Sequence, residues 1–179
     1  MIMANGGHGI YLTGWDGWIS DNIIHTNLGA AIYSDKAFAT FSITQNRIEW
    51  NHGGGINIKR GGSLNINSNC FDRAYGPSIE IRGGDENMSS CITVSGNIFR
   101  RSGKYREDME NNPYLNTHIY FTDVENTVVS GNAFLTGKDD HRKGTFSPNY
   151  SIVLKNSDHC IINNNALDKG SLIESIITL

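Results

Sequence analysis

VSGNIF at 94–99 and VSGNAF at 129–134 are nearly the same six residues, 35 positions apart. An echo at a fixed interval marks a repeat architecture, in which each unit buries its apolar face only against the next. The pattern behind the echo is an aliphatic residue, two spacers, Asn, one spacer and a large apolar residue. It recurs at 19–24, 43–48, 66–71, 94–99, 129–134 and 162–167. A second element precedes each copy: IYLT (10–13), IYSD (32–35), INIK (56–59), IEIR (79–82), IYFT (119–122) and IVLK (152–155).

Both elements alternate apolar and polar residues and are broken by Gly, Asn and Ser, which is the period of short strands and not of helices. The repeated Asn steps by 24, 23, 28, 35 and 33 residues, the length of a coil of three short strands and three turns with two coils enlarged by loops. Leucine-rich repeats share the period but need a Leu-x-x-Leu-x-Leu pattern that is absent here, and propeller blades run to about 40 residues. The chain is therefore expected to be all-β, a single-stranded right-handed parallel β-helix of about six coils forming one domain over 1–179.

In that fold Asn22, Asn46, Asn69, Asn97, Asn132 and Asn165 are expected to stack as an internal ladder, their amides bonding rung to rung at about 4.8 Å. Asn also tolerates the left-handed backbone that a sharp bend requires, so it is expected to take that conformation itself. Two positions later stand Ile24, Ile48, Phe71, Phe99, Phe134 and Leu167, which are expected to point inward as the core. The echo is scaffold and carries no chemistry.

Composition excludes several functions. Net charge is −3, so no broad basic face offers itself to nucleic acid. No apolar run approaches the roughly 18 residues of a membrane span, so no membrane insertion is expected. Cys70, Cys91 and Cys160 have no metal-ligand spacing and are odd in number, and Cys160 falls on an inward register, so they read as small buried apolar residues and not as a disulfide. The stretch 131–138 resembles a phosphate loop but has one residue too many and is followed by Asp139 in place of Ser or Thr. Asp139, Asp140 and His141 read as a solvated loop, so neither metal nor cofactor is expected. The chain enters its first coil within about ten residues of Met1 without a capping helix, and "SLIESIITL" at its other end is apolar. Terminal repeats need covers. The chain is thus expected to be part of a longer one or to have its ends covered by partner subunits, as in a homotrimer.

Coils written as strand, Gly/Ser/Asn-Asn turn and strand, with an Asn ladder and an aromatic core stack, resemble the parallel β-helix of the pectate-lyase-like superfamily over about 7–170. Within it the flavour is most similar to bacteriophage tailspike depolymerases. The resemblance implies a long bacterial surface polysaccharide laid along the solenoid, a homotrimer, and a place on a virion or outside the cell. The alternative is a non-catalytic β-helix that binds glycan or supports a fibre. No catalytic motif of one enzyme subfamily is intact, and GHG at 7–9 lacks the Asp partners of the polygalacturonase pattern and reads as a turn.

Function must then come from what faces outward. In the first strand of each coil the outward columns are Tyr11, Tyr33, Asn57, Glu80, Tyr120 and Val153, and beside them Thr13, Asp35, Lys59, Arg82, Thr122 and Lys155. Rings alternating with amides and charges suit a sugar, which needs an apolar face to stack on and partners for its hydroxyls. A solvated face with a cross-strand charge ladder would have the same composition. Tyr11, Tyr33, Asn57, Lys59, His118 and Tyr120 are the expected substrate-binding residues. The long connections 100–117 and 135–151 are expected to bank the wall near Glu80.

Glycoside hydrolysis uses two carboxyls, about 5–5.5 Å apart for retention or about 6.5–9.5 Å for inversion. Glu80 is the expected acid. Asp35 is its wall partner at roughly 12 Å by strand spacing, and Glu107, Asp108, Glu110 or a neighbouring subunit's carboxylate could complete the pair instead. For β-elimination on a uronic acid, Arg82 or Lys59 would serve as base or as carboxylate neutraliser.

Overall fold

The computed structural model describes residues 1–35, 40–84, 88–103, 110–138 and 147–179. Coils contribute one short strand to each of three parallel sheets, and strands three apart in sequence are neighbours in space except at the last coil, which adds only an isolated bridge at Ala166 to the third sheet. The wall sheet holds Ile10–Tyr11, Ile32–Ser34, Ile56–Lys59, Ile79–Arg82, Thr117–Thr122, Tyr150–Lys155 and Glu174–Thr178. The second sheet holds Gly17–Ser20, Phe41–Thr44, Leu64–Asn67, Ser89–Ser95, Val124–Ser130 and Asp158–Asn163. After the Asn turn, the third sheet holds Ile2–Met3, Ile23–His25, Arg47–Glu49, Cys70–Ala74, Ile98–Ser102 and Ala133–Leu135. The expected all-β parallel β-helix is the observed fold.

Register follows the repeat. In the wall sheet Ile56 pairs with Ile32 and Ile79, and Ile119 with Ile79 and Ile152, so one column of fully buried isoleucines runs along the interior. Phe71, Phe99 and Phe134 stack from the third sheet with ring centroids 5.0 and 4.7 Å apart. Cys160 packs against the same core and all three cysteines are free, but Cys91 is exposed and Cys70 and Cys160 are only half-buried, so the expected burial does not hold for the set. Where the chain turns from the third sheet to the wall, coils approach so closely that a Cβ on Gly55 would lie 2.3 Å from the Ser78 carbonyl oxygen.

The ladder is complete from Asn22 to Asn165. Each Oδ1 accepts both the backbone N–H and the Nδ2–H of the preceding rung, as where Asn97 donates to Asn132 at 2.9 and 3.0 Å. The same double bond links Asn22 to Asn46, Asn46 to Asn69, Asn69 to Asn97 and Asn132 to Asn165. A buried amide left unpaired costs about 1–3 kcal/mol, so every rung depends on its neighbour.

The backbone at this bend corrects one expectation. The left-handed residue is the one before each ladder Asn: Asp21, Gln45, Ser68, Gly96, Gly131 and Asn164, with φ between 52° and 65°. The Asn is there for its amide and not for its φ. A second ladder, Asn5 to Asn27 to Asn51, closes the corner after the third sheet with the same double bonds. There too the preceding residues Ala4, Thr26 and Trp50 are left-handed, as are Arg73 and Arg101 in the next coils.

Candidate functional site

Alternation along the wall strands sends Tyr33, Asn57, Glu80 and Tyr120 to one outward column, with Tyr33 in register with Tyr11 and Asn57, and Glu80 with Asn57 and Tyr120. A groove of about 260 Å³ opens on this face, lined by His8, Tyr33, Asn57, Lys59, Glu80 and Arg82, with Ala30 and Gly53 at its edge.

One bank is aromatic. The His8 ring stacks on Tyr33 with centroids 4.0 Å apart and planes 2° from parallel, and Tyr11 lies beside both, 5.8 Å from Tyr33 and 6.5 Å from His8. Tyr11 is 47% exposed, and its hydroxyl donates to Asp35 at 2.5 Å. That bond holds the phenol proton and raises the Tyr11 pKa. Desolvation lowers the His8 pKa below its ordinary value, against the opposing charge of Asp35. Its Nδ1 accepts the Ala30 N–H at 3.0 Å, so the neutral ring carries its proton on Nε2 and offers the groove a donor. His8 is a groove residue, although GHG at 7–9 reads in the sequence as a turn. The only available signal was an imidazole one coil before Ala30, with nothing to show that its ring would meet Tyr33.

The floor is polar. Glu80 is only 1% exposed, with one oxygen accepting from Asn57 Nδ2 at 3.0 Å and the other ion-paired to Arg82. Arg82 Nε and Asn57 Oδ1 are both buried without a hydrogen-bond partner among the described residues. Lys59 Nζ stands 5.9 Å from the Tyr33 centroid. Asp35 lies two rungs from Glu80, with its carboxylate on Tyr11 and its carbonyl taking Arg60 Nη2 at 2.5 Å.

Two expected binding residues lie elsewhere. Tyr120 is 2% exposed under Leu115 and Tyr114, its hydroxyl taking Asn112 Nδ2 at 3.1 Å, so no ring face is open to a sugar. His118 is fully buried, with its ring 5.9 Å from Phe99 and 5.6 Å from Phe134 and its Nε2 on the Gly170 carbonyl at 3.1 Å. It sits at the corner entering the wall and packs with the core instead of the groove. Of the loop groups, Glu110 is exposed, whereas Tyr105, Arg106, Glu107, Asp108, Asp139, Asp140 and His141 lie outside the described residues.

The described residues include no group of three or more His, Cys, Asp or Glu able to hold a metal ion. No described helix is long and apolar enough to cross a membrane. No curated protein and no solved structure matches the chain. Residues 31–176 match the family model described as the right handed beta helix region, and with the three parallel sheets this shows that the chain belongs to the right-handed β-helix family.

Proposed function

We propose that the wall groove binds an acidic polysaccharide along the solenoid and cleaves it by β-elimination, as a depolymerase of phage-tailspike type acting on a bacterial surface glycan. The family is in general one of polysaccharide-related β-helices. The observation that carries the reading is the floor, where Arg82 Nε and Asn57 Oδ1 offer one donor and one acceptor, buried and unpartnered among the described residues, beside the His8 and Tyr33 rings. Each such atom costs about 1–3 kcal/mol until a polar ligand meets it. A pyranose stacked on Tyr33 would bring its substituents to that floor.

Elimination suits the charges better than hydrolysis. Glu80 is the groove's one lining carboxylate among the described residues, and both its oxygens are engaged. Hydrolysis generally asks for two carboxyls. For elimination, Arg82, oriented by Glu80, neutralises the uronate carboxylate. Lys59 Nζ, as general base, takes the adjacent C5 proton, the C4–O bond breaks as the C4–C5 double bond forms, and water protonates the leaving oxygen. The same reading makes the protein a homotrimer on a virion or outside the cell, which sedimentation would check.

The burial of Glu80 favours a second reading, a groove that binds glycan without cutting it. One experiment separates the two. The protein is incubated with a panel of uronate-bearing bacterial polysaccharides, and chain length and ultraviolet absorbance of an unsaturated product are followed. Shortening with absorbance, lost in Lys59→Ala, supports elimination. Shortening without absorbance overturns it in favour of hydrolysis, and binding without shortening leaves the binding role alone.

A further inference from the structure

A second groove lies elsewhere, on the outer face of the third sheet. It has a volume of about 480 Å³ and spans three coils, from His25 through Glu49 and Trp50 to Tyr75. We infer that it is a second glycan-binding site that takes a neutral pyranose, separate from the wall groove.

Trp50 is the first reason. It occupies the left-handed corner position with φ +57°, where glycine would sit without strain and a bulky side chain is uncommon. The same corner is left-handed at Ala4, Thr26, Arg73 and Arg101, so the conformation belongs to the fold, and what is particular to this position is the indole it carries. The indole is also braced. The Arg73 guanidinium lies 4.5 Å from its centroid, Arg73 is paired with Asp72 at 2.5 Å, and the buried Arg101 holds the same carboxylate through its Nε at 2.7 Å. A ring held this way presents a fixed face at little cost in side-chain freedom.

The rest of the lining matches a sugar. His52 and Tyr75 form a second aromatic patch, with centroids 4.5 Å apart and planes tilted by 34°. Arg47 Nε bonds Glu49 Oε1 at 2.8 Å, and His25 Nδ1 bonds Thr26 Oγ1 at 2.9 Å. Among the lining residues the one arginine, Arg47, is matched by Glu49, which leaves little excess charge to attract an anion. Apolar ring faces beside donors and acceptors without net charge fit the C–H face and hydroxyls of a neutral pyranose. The site is distinct from the wall groove: His52 lines one and Gly53 the other, on two sides of a single turn. Cleavage at the wall is not required for it.

The test uses a chain carrying Trp15→Phe and Trp18→Phe, which leaves Trp50 as the one indole of three. Its fluorescence is titrated with cellohexaose, chitohexaose and mannohexaose, and with oligogalacturonate as the acidic comparison. The expected result is a saturable change with at least one neutral hexasaccharide, about tenfold weaker or lost in Tyr75→Ala and retained in the wall variant Lys59→Ala. Should Tyr75→Ala fail to fold, Trp50→Gly decides by calorimetry. Glycine relieves the left-handed corner, so the variant should melt no lower than its parent while heat of binding disappears. No saturable change with any neutral sugar, a change with oligogalacturonate alone, or binding that vanishes in Lys59→Ala but survives Tyr75→Ala would each overturn the inference.

Discussion

The wall sheet has the same outward column from end to end, yet its two halves have different surroundings. In the early coils Tyr11, Tyr33, Asn57 and Lys59 remain open and build the groove. In the later coils Tyr120 and Val153 are buried beneath Leu115, with Tyr114 and Tyr150 packed beside them. The roof is the 3₁₀ turn Pro113–Leu115, whose N-cap Asn112 takes the Tyr114 N–H on its Oδ1 and gives its Nδ2–H to the Tyr120 hydroxyl. Strand register decides whether a side chain points out, and an insertion elsewhere decides whether outward means exposed. A tyrosine in the first half therefore keeps an open face, and one in the second half belongs to a second core.

The strongest probe of the roofed end is acid. Burial lowers the His118 pKa from 6.5 to about 3, with the Gly170 carbonyl bond opposing only part of that shift. The unfolded chain then takes this proton as pH falls below about 6.5 while the fold refuses it until about 3. Stability should fall through that window, by up to about 5 kcal/mol from this group alone. His118→Phe should make the fall shallower in denaturant midpoints measured across pH, and an unchanged slope would mean the imidazole is hydrated.

Tyr120→Ala comes next. Removing a ring from the roofed cluster should cost about 3 kcal/mol in urea unfolding while leaving glycan affinity at the parent value. Lost affinity at unchanged stability would return Tyr120 to the groove and end the distinction between the halves. Asn97→Leu tests the scaffold beneath both: it leaves the Asn69 N–H and Nδ2–H without their acceptor, takes one of two donors from Asn132 Oδ1, and should cost about 1–3 kcal/mol. The smallest effect belongs to the open half. Tyr33→Ala should leave melting nearly unchanged and weaken oligosaccharide binding by about 1 kcal/mol, the worth of one stacking face.

The interior was legible from residue spacing alone. In a β-helix every coil meets the same neighbours, so one requirement is written six times, and the columns from Asn22 to Asn165 and from Ile24 to Phe134 follow from counting. Period-two alternation likewise placed Tyr33, Asn57, Glu80 and Arg82 on one face. Folding decided what is written only once. The shorter ladder of Asn5, Asn27 and Asn51 lacks a repeat long enough to stand out, since its column continues as Ala74 and Ser102. The stacking of His8 on Tyr33, the pairing of Glu80 with Arg82, the roof over Tyr120 and the braced Trp50 all depend on where loops and side chains from different coils come to rest. Periodicity carries information about contacts that recur from coil to coil. A functional site is built from contacts that occur once, and only the packed chain brings those together.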